Sequence, residues 1–250
     1  MTSLVTLLTD FGTADGYVGE VKGVLASLAP QVTVIDIAHD VAPHDVDGAR
    51  LALARYWQRF PEGTVHLVVV DPGVGGGRAA MAMESEGRML VGPDNGVLSP
   101  GLLHAGARCV AIPAPASAAP TFHGRDVFAP AAAQLALGVT LESLGPPLLA
   151  PVIRRTPEAI RRDDGGVQGE VITVDRFGNA VTNLLALRGG EILIDGLALS
   201  VRRTYADASP GEPTALVGSS GLVEIAVRDG NAAALLGLRR GTGVVLRPPR

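Results

Sequence analysis

Val65-His66-Leu67-Val68-Val69-Val70-Asp71-Pro72-Gly73-Val74-Gly75-Gly76-Gly77-Arg78 is the stretch from which the fold is read. An apolar, mostly β-branched run is stopped by a carboxylate and a proline, and a glycine loop then delivers one arginine. Such a run reads as a buried strand. In an open α/β sheet, ligands sit outside the carboxyl ends of the strands, where Asp71 would face them. Turning a corner requires neither an acid nor an arginine, so the segment reads as an active-site loop.

Working outward, strand and helix signals alternate. Residues 4–8 form a short apolar strand that ends in Thr9-Asp10-Phe11-Gly12. Tyr17, Val21, Val24, Leu25 and Leu28 recur at helical spacing and stop at Pro30. Residues 32–37 read as a second strand. Val46, Ala49, Leu53, Trp57 and Phe60 make a second helical stripe, closed by Pro61-Glu62-Gly63. Residues 81–84 and 89–91 predict a hairpin around Glu86-Gly87, residues 127–137 a helix, and residues 113–120 a low-complexity loop. The alternation predicts an α/β domain over residues 1–150 with a mostly parallel, covered sheet. After Gly145-Pro146-Pro147 the texture changes. Residues 151–165 read as a linker. Residues 166–250 read as a smaller all-β domain, with strands at 170–174, 180–184, 191–194, 197–201, 222–227 and 244–246. Asp195-Gly196 is a hairpin turn, and only residues 231–236 suggest a helical turn.

Composition narrows the function. A hydrophobic content of 47% with 18% charged residues excludes a disordered chain. No apolar run approaches the ~20 residues of a membrane span, and Met1-Thr2-Ser3 leads into a strand without a signal-peptide pattern. A net charge of −4 with no basic block argues against a nucleic-acid partner. The single cysteine, Cys109, cannot form an internal disulfide, so a reducing cytoplasm is the expected location.

Asp10, Asp36 and Asp71 lie at or near strand ends. Asp10 suits a turn cap or a vicinal diol, whose two hydroxyls its oxygens can accept. The glycine loop is no nucleotide-phosphate loop: Arg78-Ala79 stands where a Walker motif needs Gly-Lys-Ser/Thr, and the loop leads into a hairpin rather than a helix. Asp71 and Arg78 are either a salt bridge across that loop or part of a site. In Pro120-Thr121-Phe122-His123-Gly124-Arg125-Asp126, His123 is the best-placed proton handler, since imidazole titrates near neutrality. His39, Asp40, His44 and Asp45 have metal-ligand chemistry but no helical register to make them converge. Asp175-Arg176-Phe177-Gly178-Asn179 interrupts two strands with an acid, an aromatic and an amide; Asn pairs with an adenine edge and Phe stacks on a base. Val217-Gly218-Ser219-Ser220-Gly221 is a hydroxyl-rich turn, and Glu224 stands within an apolar strand, where a buried acid needs a partner or a function.

As an ordered set, Val70-Asp71-Pro72-Gly73-Val74-Gly75, Gly92-Pro93-Asp94-Asn95-Gly96, Thr121-Phe122-His123-Gly124-Arg125-Asp126 and Asp175-Arg176-Phe177-Gly178-Asn179 resemble one family. It is the S-adenosylmethionine hydroxide adenosyltransferases, relatives of fluorinating and chlorinating enzymes that use the same substrate. The resemblance spans nearly the whole chain. It implies an N-terminal α/β domain and a C-terminal β domain in a homotrimer, with substrate between the first domain of one subunit and the second of its neighbour. It implies hydrolysis of S-adenosylmethionine to adenosine and methionine without cofactor or metal. By the same resemblance, Asp71, Arg78 and His123 surround the attacking water and Asp10 binds the ribose diol. Asn179 and the backbone near Val227 read adenine, Phe177 lies against the nucleoside, and Asp175, Ser219, Ser220 and Glu224 hold the methionine part. Either Asp71 or His123 can take the proton.

Three rival readings remain distinct. A halogenating relative would carry a neutral tyrosine where Asp71 stands, and a carboxylate about 5 Å from a halide costs ~3 kcal/mol at an effective dielectric near 20. A non-catalytic sensor of S-adenosylmethionine or adenosine would need no proton handler. A metal hydrolase would be built on His39, Asp40, His44 and Asp45.

Overall fold

The computed structural model describes residues 4–186 and 189–249, and the chain divides into two compact units, Met1–Arg155 and Thr156–Arg250.

The first unit runs β1 (Leu4–Thr9), α1 (Tyr17–Leu28), β2 (Thr33–Ala38), α2 (Val46–Tyr56), β3 (Val65–Val69), β4 (Ala80–Ser85), β5 (Arg88–Pro93), α3 (Ser99–Leu102), β6 (Arg108–Ile112), a π-helical turn (Gly124–Phe128) and α4 (Ala129–Ala136). Its sheet has the order β2-β1-β3-β5-β4-β6. The strands β2, β1, β3 and β5 are parallel, but β4 is antiparallel to both β5 and β6. The sheet is therefore mixed, and the expectation of a mostly parallel sheet is corrected. The cause is the hairpin at Glu86-Gly87: a two-residue connection must reverse the chain. Both turn residues have positive φ (49° and 68°), which matches the twist of the flanking strands. Once β4 is reversed, β6 closes the edge antiparallel to it.

Alternate residues of the strands feed two cores. Val5, Leu7, Val65, Leu67 and Val69 pack with Val21 and Leu25 of α1 and with the alanine-rich α4. Leu8, Val68, Val70, Met81 and Leu90 pack with Val46, Ala49 and Leu53 of α2 and with Trp57. Burial of each such side chain contributes about 1.5–3 kcal/mol. The sequence stripes match these faces except at the ends of α1, where Tyr17 and Leu28 are exposed, and past the end of α2, where Phe60 is extended and outside the core. Asp45 caps α2 by accepting from Gly48 N at 3.0 Å.

The second unit comprises β7 (Ile160–Arg161), β8 (Val167–Val174), β9 (Ala180–Thr182), β10 (Glu191–Ile194), β11 (Leu197–Arg202), β12 (Pro213–Val217), β13 (Val223–Val227), α5 (Ala232–Leu236) and β14 (Gly243–Arg247). The order β14-β10-β11-β12-β13-β9-β8 closes on itself through a β14–β8 pairing, while β7 hangs on β8 outside the ring. The expected all-β domain is thus a closed seven-stranded barrel carrying one short helix. Closure removes the exposed strand edges that so small a sheet would otherwise present. The sequence reading did not include β7 or β12; Pro213 opens β12, and proline is tolerated at the first position of a strand.

Candidate active site

In the first unit, four strand ends and turns converge on one cleft of about 290 Å³ lined by Asp10, Phe11, Tyr17, His44, Asp71, Phe122 and His123, among others. Thr9, the last residue of β1, is buried and its hydroxyl meets His39 Nδ1 at 2.9 Å, while Gly12 N donates to His39 O at 2.7 Å. These bonds tie the ends of β1 and β2 together and aim Asp10 at the cleft. Its Oδ2 accepts from His44 N at 2.8 Å, and the side chain lines the cleft.

Asp71 follows β3, with a side chain only 7% exposed. Arg78 meets it with both prongs: Nε donates to Oδ1 at 2.9 Å, and Nη2 donates to Oδ2. The same Nη2 donates to His123 Nδ1 at 3.0 Å. The guanidinium also lies over the Phe128 ring, 5.3 Å from its centroid. Arg78 thus joins the three residues in one chain, Asp71–Arg78–His123. A paired, desolvated guanidinium of this kind is far more fixed than a surface ion pair.

The glycine loop makes that chain possible. Gly75 has φ +73°, and a Cβ there would sit 2.5 Å from Pro120 O. Only a glycine lets the Asp71–Arg78 loop close against the segment that carries His123. On the far side of His123 the π-helical turn begins. A wide turn of this type is frequent at functional sites. Arg125 clamps it: its guanidinium bonds both oxygens of Asp126 (2.7 and 2.9 Å) and Glu20 Oε2 (2.7 Å), and stacks on Phe122.

Burial, and next the nearby Arg78 charge, hold the His123 pKa below its usual value against the opposing pull of Asp71 and Asp126. The ring is therefore neutral at pH 7. A guanidinium only donates, so Nδ1 is the acceptor and the ring proton sits on Nε2.

The metal-ligand candidates do not converge. His39 is held by Thr9, Asp45 caps α2, and His44 lines the cleft through a residue at φ 67°. Asp36 is taken up by Lys22 at 2.6 Å and lies 3.1 Å from His39 Nε2. Among the described residues no group of three or more His, Cys, Asp or Glu is placed to hold a metal ion.

In the second unit, Asp175 organises the turn between β8 and β9. Its Oδ1 accepts from Phe177 N (2.9 Å) and Asn179 N (2.8 Å), and its Oδ2 from Asn179 Nδ2 (3.0 Å). The turn holds Phe177 out in solvent, 76% exposed, while Asn179 is buried. Glu224 on β13 is only 6% exposed, and its Oε2 accepts from Tyr205 OH at 3.0 Å. Burial, and next the Glu224 contact, push the Tyr205 phenol up to about 12, with Asp175 adding to the effect. Ser219 and Ser220 are exposed in the turn beside Glu224, whose carboxylate fills the space where a Cβ on Gly218 would stand. Val227 ends β13, and its carbonyl accepts from Gly230 N.

Sequence reasoning missed Tyr205, Phe11 and Tyr17. No motif marks Tyr205. For Phe11 and Tyr17 the available signal was position, beside Asp10 and at the start of α1.

An acid, a guanidinium and an imidazole around one α/β cleft, with a small β-barrel following in the chain, make a two-domain enzyme acting on a small molecule. The chain belongs to the SAM hydroxide adenosyltransferase family: the model of its N-terminal domain matches residues 5–145 and that of its C-terminal domain residues 169–245. It is 46% identical to the (R)-S-adenosyl-L-methionine hydrolase of Thermus thermophilus, over 97% of this chain and 98% of that one. A fluorinase from Actinopolyspora mzabensis is 30% identical, over 96% of each chain. The crystal structure of an uncharacterized conserved protein from Thermotoga maritima superposes with a TM-score of 0.88 at 33% identity, over 97% of this chain and 99% of that one. Among the described residues no helix is long and apolar enough to cross a membrane.

Proposed function

We propose that this protein hydrolyses S-adenosyl-L-methionine to adenosine and L-methionine, by in-line attack of a water held at the Asp71–Arg78–His123 chain on C5′ of the ribose. The observation that carries the reading is that chain itself, half-buried just past the end of β3 in the family to which the protein belongs. As the O–C5′ bond forms, the C5′–S bond breaks and its electron pair goes to sulfur, which leaves as a neutral thioether. No leaving-group acid, metal or cofactor is needed. The water becomes acidic as it bonds to carbon, so a weak base suffices late in the step. His123 has its Nδ1 lone pair engaged by Arg78 and offers Nε2–H, a donor that orients the water's oxygen. That leaves Asp71 as the proton acceptor, with Arg78 fixing its plane. The gain is mainly that of holding water in line with the reacting carbon.

The binding roles follow the donors left free. Asp10 offers Oδ1 to the ribose hydroxyls. Asn179 spends one Nδ2 hydrogen on Asp175 and keeps Oδ1 and a second hydrogen for an adenine edge, beside the backbone at Val227 and with Phe177 against the nucleoside. Glu224 has no cation paired with it among the described residues, which suits the methionine ammonium, with Asp175 and Tyr205 beside it. The Ser219 and Ser220 hydroxyls suit the methionine carboxylate. The reading includes a cytoplasmic homotrimer in which residues 1–150 supply the catalytic groups and residues 166–250 of a neighbouring subunit the remaining substrate contacts.

The test is the reaction in heavy-oxygen water with chloride or fluoride added. The expected outcome is label in the adenosine 5′-hydroxyl and no halogenated nucleoside. Label in methionine, or a 5′-halo product as the main species, overturns the proposal.

A further inference from the structure

The motif Gly92-Pro93-Asp94-Asn95-Gly96 takes no part in the chemistry above, yet it touches both the catalytic strand and the end of the first unit. Asn95 Nδ2 donates to Val70 O at 2.9 Å, and Asn95 Oδ1 accepts from Val97 N at 3.1 Å. Val70 is buried, and it is the residue directly before Asp71. The β3–β5 ladder stops at Leu67↔Val91 and the β3–β1 ladder at Val69↔Thr9, so Val70 lies beyond both. A buried carbonyl past the end of its ladder needs a donor from elsewhere, and Asn95 supplies it.

Asn95 is itself held from outside. Asp94 Oδ1 accepts from Val152 N (2.7 Å), and Ser99 Oγ accepts from Arg154 N (2.8 Å). Arg154 Nε donates to Asn95 O (2.8 Å), and its Nη1 to Asp47 Oδ2 (3.0 Å). The Arg154 stem covers Gly96, where φ is +92° and a Cβ would fall 2.3 Å from Arg154 Cγ. Residues 152–154 are thus buckled onto the turn that grips Val70.

We infer that Asn95 is a positioning residue for Asp71, and that the strap at 152–154 keeps Asn95 in register. This rests on the reading of Asp71 as the proton acceptor. Asn95 touches neither substrate nor water; it sets the peptide from which the Asp71 side chain springs. Misplacement of a reacting group by about 1 Å costs on the order of 100-fold in rate.

Asn95→Asp is the decisive variant. It keeps the shape and the acceptor for Val97 N but sets an oxygen against Val70 O, and protonation of the new carboxyl restores a donor. At about pH 8 kcat should fall by roughly 10- to 100-fold with KM within about two-fold of wild type. The Val70 carbonyl and partial burial favour the neutral form of the new carboxyl and raise its pKa, so the ratio of variant to wild-type kcat should recover as pH falls toward about 5.5. Asp71→Asn is measured alongside. If Asp71→Asn keeps wild-type turnover, the reading of Asp71 has failed. If Asp71→Asn is inactive while Asn95→Asp turns over normally, or if the ratio is flat with pH, the positioning role alone is overturned. Should Asn95→Asp not fold, Arg154→Ala carries the test, since that side chain lies at the surface, 44% exposed. A several-fold drop in kcat with KM unchanged supports the inference, and an unchanged kcat overturns it.

Discussion

Acid should destabilise the first unit through one buried histidine on β3. His66 on β3 is fully buried, its Nδ1 lies 2.7 Å from Thr6 Oγ1, and its ring packs edge-on against Tyr56, Trp57 and Phe60. Burial, and next the Arg88 charge, lower its pKa from 6.5 to about 4, against a smaller opposing pull from the Trp57 backbone. A histidine with a lowered folded pKa binds fewer protons folded than unfolded between those two values. Its contribution is therefore present above about pH 6.5 and is lost as pH falls toward 4. The loss amounts to about 2 kcal/mol at pH 5 and about 3 kcal/mol below pH 4. Urea unfolding can be followed by the fluorescence of Trp57, the only tryptophan, whose ring centroid is 6.5 Å from that of His66. Between about pH 7 and 5, wild type should lose roughly 2 kcal/mol more stability than His66→Gln, which cannot titrate. Equal losses in the two proteins would refute the reasoning. On the proposed role of Asp71 the consequence reaches function, because β3 leads directly into that residue.

Two further outcomes test the site. Gly75→Ala should lower kcat by at least about ten-fold, because its Cβ needs both a left-handed backbone and the space held by Pro120 O. Gly77→Ala, whose Cβ meets nothing within 4 Å, should retain wild-type turnover, and equal effects of the two would remove the close approach as the reason for the glycine. Inactive Asp71→Asn protein mixed with inactive Asn179→Ala protein, after dissociation and reassociation, should recover activity and sediment as a trimer. An active monomer, or no recovery after demonstrated subunit exchange, refutes a site shared between subunits.

What the sequence conveyed about the fold divides along local and non-local lines. The β4–β5 hairpin was visible because Glu86-Gly87 is a local turn signal between two apolar runs. Its effect on sheet direction was not carried forward, and a reading that weighed the hairpin against the three parallel pairings would have found a mixed sheet. The barrel closure was invisible, because the pairing of β14 with β8 joins residues such as Gly243 and Glu170, which no periodicity relates. In α1 the apolar stripe overreached at Tyr17, which faces the cleft rather than the core.

The site was read mainly through its charged and polar groups, and the aromatic lining of the cleft was overlooked. The chain has only one tryptophan, three tyrosines and five phenylalanines. Tyr56, Trp57 and Phe60 surround His66, and the others stand beside charged or ligand-facing groups. Phe11, Tyr17 and Phe122 line the cleft and touch one another edge to face, with centroids 5.3–6.3 Å apart. Phe128 lies under Arg78, Phe177 stands out on its turn, and Tyr205 bonds Glu224. Acids announce themselves in sequence because a carboxylate at a strand end is unusual in isolation. An aromatic wall does not, because Phe11 and Phe122 meet only after the sheet has formed. Yet the walls decide what the charges can do. Excluding water strengthens the Asp71–Arg78 pairing, and a π face attracts a cation that water would otherwise hold. A sulfonium is such a cation, and its charge disappears as the C5′–S bond breaks. Rings that held it too well would favour the ground state over the transition state. Here Phe11, Tyr17 and Phe122 pack edge to face against one another and Arg125 lies over the Phe122 ring, which leaves less π face to hold that charge.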